Sequence, residues 1–187
     1  MKKLILISFA VLTALQIQAQ DSKEKGQNVQ IEIPDVAIMD LEATNGKSIV
    51  LNVNAPTEAG LPVDFSDARD SSLWLNYSSV CGKGKSSKRK VQAKITSGSL
   101  PSYMRLVVEA TNDAGYGDGD VGVPNNRKFL STHDQTIVKN IETCYTGDGV
   151  GKGHQLIYSL ELKNNKYDEI DFDDATTLTI LYTISND

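Results

Sequence analysis

The chain has 187 residues, 19 Lys and Arg against 24 Asp and Glu, a net charge of −5 and 6% aromatic residues. That length suits one domain with a real core and is short for two. The acidic balance argues against nucleic acid, whose phosphates reward a basic surface.

The first residues read as an export signal. Met1-Lys2-Lys3 is a positive start, Leu4 to Leu15 is an apolar run, and Ile17-Gln18-Ala19 offers a small residue before polar Gln20. This is the layout of a helical secretory signal peptide over residues 1–19. The apolar run is about a dozen residues, against roughly 20 for a membrane-spanning helix, so no stable membrane insertion is expected after cleavage. The predicted mature chain loses Lys2 and Lys3. It carries 19 − 2 = 17 basic against 24 acidic residues, a net −7. Its expected place is the periplasm, the cell surface or the medium.

Residues 20–28 are polar and aperiodic and read as a flexible lead-in. Residues 29–187 read as one domain. Val29, Ile31 and Ile33 open an alternating pattern. Ile49, Leu51 and Val53 repeat it, then Leu73, Leu75 and Tyr77, then Val91, Ala93 and Ile95. Met104, Leu106, Val108 and Ala110 follow, then Leu156, Tyr158, Leu160 and Leu162, and finally Leu178, Ile180, Tyr182 and Ile184. A period of two marks half-buried strands, and the linkers are rich in Gly, Pro, Asn, Asp and Ser. Tyr167-Asp168-Glu169-Ile170 reads as one short turn. The expected fold is all-β, two antiparallel sheets packed as a sandwich of the immunoglobulin-like or pilin-like kind.

Cys81 and Cys144 stand far apart in sequence. In an oxidising compartment an isolated pair favours one disulfide, worth about 4 kcal/mol in the chain-entropy model. Neither cysteine has a second one at metal-ligand spacing, so no metal is expected there.

Several motifs invite a function and fall short of it. Gly84-Lys85-Ser86 lacks the earlier glycine of a phosphate loop, since Ser79 stands there, and strand-like sequence follows. Lys83, Lys85, Lys88, Arg89 and Lys90 read as a solvated hairpin tip. Asp113, Asp118 and Asp120 lie among glycines in a long loop whose spacing does not match a calcium loop, so solvated carboxylates are favoured over calcium. Asp171, Asp173 and Asp174 form a weaker cluster. His133 and His154 are the only histidines. No Gly-x-Ser-x-Gly elbow and no His-Glu-x-x-His stretch exists, so catalysis is not expected and no cofactor is implied. The candidate binding residues are Trp74, Asp113, Tyr116, Asp118, Asp120, Tyr145 and His154.

The Val29/Ile31/Ile33 strand and the closing Leu178/Ile180/Tyr182/Ile184 strand, set behind an export signal, resemble those of secreted pilin-like subunits of Gram-negative envelopes. That resemblance implies a structural or adhesive protein that binds protein partners or assembles with itself. Val29, Ile31 and Ile33 would then be the strand donated to a neighbour's sandwich. The cysteine spacing departs from the pattern, because disulfide-bearing fimbrial subunits tend to hold theirs close together. The alternative reading is a monomeric module that grips a glycan, or a partner held through calcium, with its long loops. An enzyme of unfamiliar type stays open behind both.

Overall fold

The computed structural model describes residues 26–44, 46–82 and 87–187. The export signal over 1–19 and the start of the lead-in lie outside the described residues, as do Lys83 and Lys85. Residues 1–33 and 34–187 form separate compact units. In the first, Val29, Ile31 and Ile33 are 74%, 83% and 76% exposed. They belong to no strand, so the expectation of a strand there is corrected.

The second unit is all-β. Its strands are β1 Val36–Ala43, β2 Arg69–Val80, β3 Arg89–Ser97, β4 Met104–Asp113, β5 Asp118–Gly119 and β6 Val123–Pro124. Then come β7 Lys128–Phe129, β8 Gln135–Ile141, β9 Cys144–Tyr145, β10 His154–Leu162 and β11 Thr179–Asn186. Tyr167–Glu169 make a 3-10 turn where one short turn is expected from the sequence. No described helix is long and apolar enough to cross a membrane.

Two antiparallel sheets result. One has seven strands, with the path β5-β9-β2-β10-β4-β7 and β1 added to β2. The other runs β11-β3-β8-β6. The period-two residues explain why they pack. Leu73, Leu75, Tyr77, Leu106, Val108, Leu156 and Tyr158 from the first sheet share one buried cluster with Val91, Ala93, Ile137 and Val138 from the second. Apolar burial at about 25 cal/mol per Å² is the main force holding such faces together. The hydroxyls of Tyr158 and Tyr182 hydrogen-bond to each other, joining β10 to β11.

Three further differences from the sequence reading have clear physical causes. Ile49 and Leu51 do pack against the core. Their segment nevertheless joins no strand, and the isolated bridges on either side of it are Thr44 with Gly46 and Asn54 with Asp64. Alternation reports which side chains are buried, and this stretch buries them without a ladder. Second, β1 was not foreseen, although Met39, Leu41 and Ala43 alternate toward the core. Third, Arg89 is not a solvated hairpin residue. It is 3% exposed and ion-paired to Asp35, and its guanidinium donates to Ser79 Oγ (2.9 Å) and to the carbonyls of Val36 and Val80. One buried cation thereby ties the start of β1 to the end of β2.

The disulfide expectation is also corrected: both cysteines are free. The fold does bring them close. Ser79 pairs with Cys144 across β2 and β9, and Cys81 lies two residues beyond Ser79. A diagonal relation of that kind separates Cα atoms by about 7–8 Å, more than the roughly 4.4–6.8 Å a disulfide spans. The Thr143 hydroxyl accepts from the Cys81 backbone N–H at 3.1 Å and lies 3.7 Å from its sulfur.

Candidate functional site

Glycine-rich loops lie around Asp113–Asp120 and around Tyr145–His154. The fold joins them into one platform. β5 pairs with β9 through Asp118 with Tyr145 and Gly119 with Cys144. Ala114 N–H donates to the Gly153 carbonyl at 2.9 Å. The contact is so close that a Cβ on Gly117 would stand 1.7 Å from the Tyr145 carbonyl oxygen. Below, the Asn76 side chain clamps the second loop. Its Nδ2 donates to the Lys152 carbonyl at 2.7 Å and its Oδ1 accepts from the Gly149 N–H at 2.7 Å. Asn76 is itself 4% exposed. These bonds make one fixed surface of the two loops.

Tyr116 and Tyr145 are the aromatic residues that surface presents, at 65% and 52% exposure. Asp118 and Asp120 are exposed beside them. Asp118 Oδ1 accepts from the Gly119 N–H and Asp113 Oδ2 from the Gly115 N–H, both at 2.8 Å. These carboxylates brace their own loop. Among the described residues no three of His, Cys, Asp and Glu gather as a metal ion would need. Asp174, from the weaker acidic cluster, accepts the Tyr103 hydroxyl at 2.7 Å.

His154 does not belong to the presented surface. It is 0% exposed and sits under the loops. Its Nδ1 lies 2.7 Å from the Thr111 carbonyl, which only accepts, so Nδ1 carries a proton. Its Nε2 lies 2.7 Å from the Tyr77 hydroxyl, and the two rings stack at 5.7 Å. The Tyr77 hydroxyl also reaches the Val121 carbonyl. Burial and the nearby Cys144 and Asp113 raise the Tyr77 phenol far above its usual range. The network is a polar core that fixes β10, β2 and the loop after β5 together. Periodicity carried the signal, since His154 continues the inward series of Leu156, Tyr158 and Leu160.

Trp74 stands apart from the tyrosines. It faces outward on the first sheet, opposite Glu42 on β1 and Gln155 on β10. Tyr145 pairs with Ser78 on that same outward face. Four residues of strand put the two about 13 Å apart, with the clamped loop between them. Cys144 is buried at 7% exposure, and burial, with Cys81 second, pushes its thiol up to about 11.

The outer face of the first sheet holds a feature the sequence reading missed. Arg69, Arg105 and Arg127 line an open groove there together with Glu109, Glu161 and Ile157. The arginines come from β2, β4 and the segment before β7, and only strand register brings them together. No protein-family model, no curated protein and no solved structure matches this chain.

Proposed function

We propose that this is an exported protein of the cell envelope that acts by binding or assembly rather than catalysis, built on a pilin-like sandwich. The observation that carries the reading is the segment Val29–Ile33. It holds three large apolar side chains at a strand's spacing, all at least 74% exposed and outside every strand. Such a stripe in water is unfavourable and marks an interaction segment. Strand addition to a sheet edge of a neighbouring copy would bury it and pair its backbone. The domain has edges to receive it: among the described residues β1 pairs only with β2, and β11 only with β3. Beneath those edges Met39, Leu41, Ile180, Tyr182 and Ile184 are only partly buried against the core.

Ile31→Asp tests the proposal. Ile31 is 83% exposed, so the substitution should leave the thermal midpoint of the isolated domain unchanged. Assembly, read by light scattering of concentrated protein, should be lost. A variant that assembles like the parent contradicts strand donation.

A second reading, a monomeric binding module, draws on the platform. Tyr116 and Tyr145 form a rigid exposed aromatic pair on loops locked by β5, β9 and Asn76. Exposed aromatics on a rigid scaffold are the usual makings of a contact surface. Tyr116→Ala with Tyr145→Ala should abolish surface adhesion without affecting folding, and adhesion at the parental level would remove this reading.

A further inference from the structure

We propose that the groove on the outer face of the first sheet is a binding site for an acidic oligosaccharide, a sugar chain carrying carboxylates. The groove has a volume of about 580 Å³, within the roughly 300–1,000 Å³ of small-ligand sites. Its floor is set by register. Arg105 stands opposite Glu161 and Glu109 opposite Ile157 across β4 and β10, while Arg69 on β2 flanks Ser159. Arg105 and Glu109 point out here because Leu106, Val108 and Ala110 fill the core, while Val107 between them is covered at 2% exposure.

The three guanidiniums are not equivalent. Arg127 is ion-paired to Glu161. Arg105 places its guanidinium 4.6 Å from the centre of the Phe129 ring, and Arg127 lies 5.9 Å from the same ring. Neither Arg69 nor Arg105 has an ion-pair partner among the described residues. Arg105 Nε is buried with no hydrogen-bond partner there. Buried polar atoms are almost always paired, so this one calls for a partner that the described residues do not supply. The Phe129 ring holds the Arg105 plane in place, and a held guanidinium is suited to two parallel bonds with a carboxylate.

The lining also selects the ligand class. Three arginines and two glutamates leave a local net charge of +1 on a chain of net −5. Glu109 and Glu161 would repel a densely charged polyanion, but they accept hydrogen bonds from hydroxyls. A ligand with spaced carboxylates and many hydroxyls fits both signs. A peptide fits less well. The site is a sheet face, where backbone groups of β2, β4 and β10 are engaged in their own ladders, so a peptide backbone finds no strand to pair with.

The inference is independent of strand donation and of the tyrosine platform. Isothermal titration of the full mature chain with trigalacturonate, neutral trigalactose and triglutamate tests it. Trigalacturonate should bind, more weakly as salt rises, and trigalactose should not. Arg105→Gln and Arg69→Gln should each weaken binding about tenfold or more. Arg69 is exposed, so its variant should keep the parental thermal midpoint even where Arg105→Gln does not fold. Tyr116→Ala with Tyr145→Ala should leave binding unchanged. Equal binding of the neutral sugar, tighter binding of triglutamate, no binding of trigalacturonate, or parental affinity in Arg69→Gln would each overturn the assignment.

Discussion

Two glycines in one loop should respond very differently to alanine. Gly115 has φ +80 and nothing within 4 Å of the place its Cβ would take. Gly115→Ala therefore meets only the left-handed backbone cost, about 1–2 kcal/mol, partly offset by a stiffer unfolded chain. Gly117→Ala meets a wall. Its Cβ would lie 1.7 Å from the Tyr145 carbonyl oxygen, 2.6 Å from that carbonyl carbon and 2.8 Å from the Thr146 Cα, all backbone atoms. Real Cβ atoms stay beyond 3.0 Å, so the strands must part by more than an ångström. Parting them opens the Asp118–Tyr145 and Gly119–Cys144 pairs. Two or three backbone hydrogen bonds at about 1 kcal/mol each, with desolvated partners left behind, put the loss at ~3 kcal/mol. For a chain of this size that lowers the thermal midpoint by about 6–12 °C. Urea titration of both variants, with amide hydrogen exchange over residues 114–120 and 145–153, measures the effect. Exchange in both loops should rise together in Gly117→Ala and stay near parental in Gly115→Ala. Two variants within about 0.5 kcal/mol of each other would refute the claim that the loops are interlocked.

The thiols and phenols give two more expected outcomes. At pH 8 a thiol reagent should label Cys81 in the native protein and leave Cys144 essentially untouched, because burial holds the Cys144 thiol near 11 and only the thiolate reacts; unfolding without reductant should reveal both thiols, and finding neither would show a disulfide. Burial, opposed by the Tyr182 hydroxyl, pushes the Tyr158 phenol up to about 12, and burial pushes Tyr182 well above its usual value. Their pKa is raised by folding, so above pH 10 the unfolded state loses protons first. The contribution of these phenols should then be constant below about pH 10 and be lost as the pH rises above it. Phenolate absorbance should lag behind that of the free amino acid until the chain unfolds, and a simple titration at pH 10 for all seven tyrosines would contradict the hydrogen-bonded Tyr158–Tyr182 pair.

Alternation told the truth about burial and only part of the truth about pairing. Leu73 to Tyr77, Val91 to Ile95, Leu106 to Ala110 and Leu156 to Leu162 became paired strands because both a buried face and a ladder partner were available. Ile49 and Leu51 show the same periodicity and lack the ladder, while Val29, Ile31 and Ile33 show it and are exposed. A pattern of side chains carries no information about which backbone lies alongside. The convergence of the two glycine loops depends on β5 meeting β9, two strands of two residues each, too short for any period to reveal. His154 is legible as a core residue from its place in the even-numbered series, its polar ring being satisfied by Thr111 and Tyr77. The arginine groove was hidden for a different reason. Arg69, Arg105 and Arg127 are ordinary outward positions one at a time, and become a cluster only once β2, β10, β4 and β7 are laid side by side. Arg89 shows the converse, a charge inside a basic run that register turns inward to Ser79 and Val36.

An unboiled denaturing gel of a sheared cell-surface fraction, probed for this protein, tests the central claim most directly. Assembly by strand donation through Val29, Ile31 and Ile33 predicts a ladder of multiples that collapses to one band on boiling and is absent from Ile31→Asp. A single band at the monomer mass before boiling would contradict it.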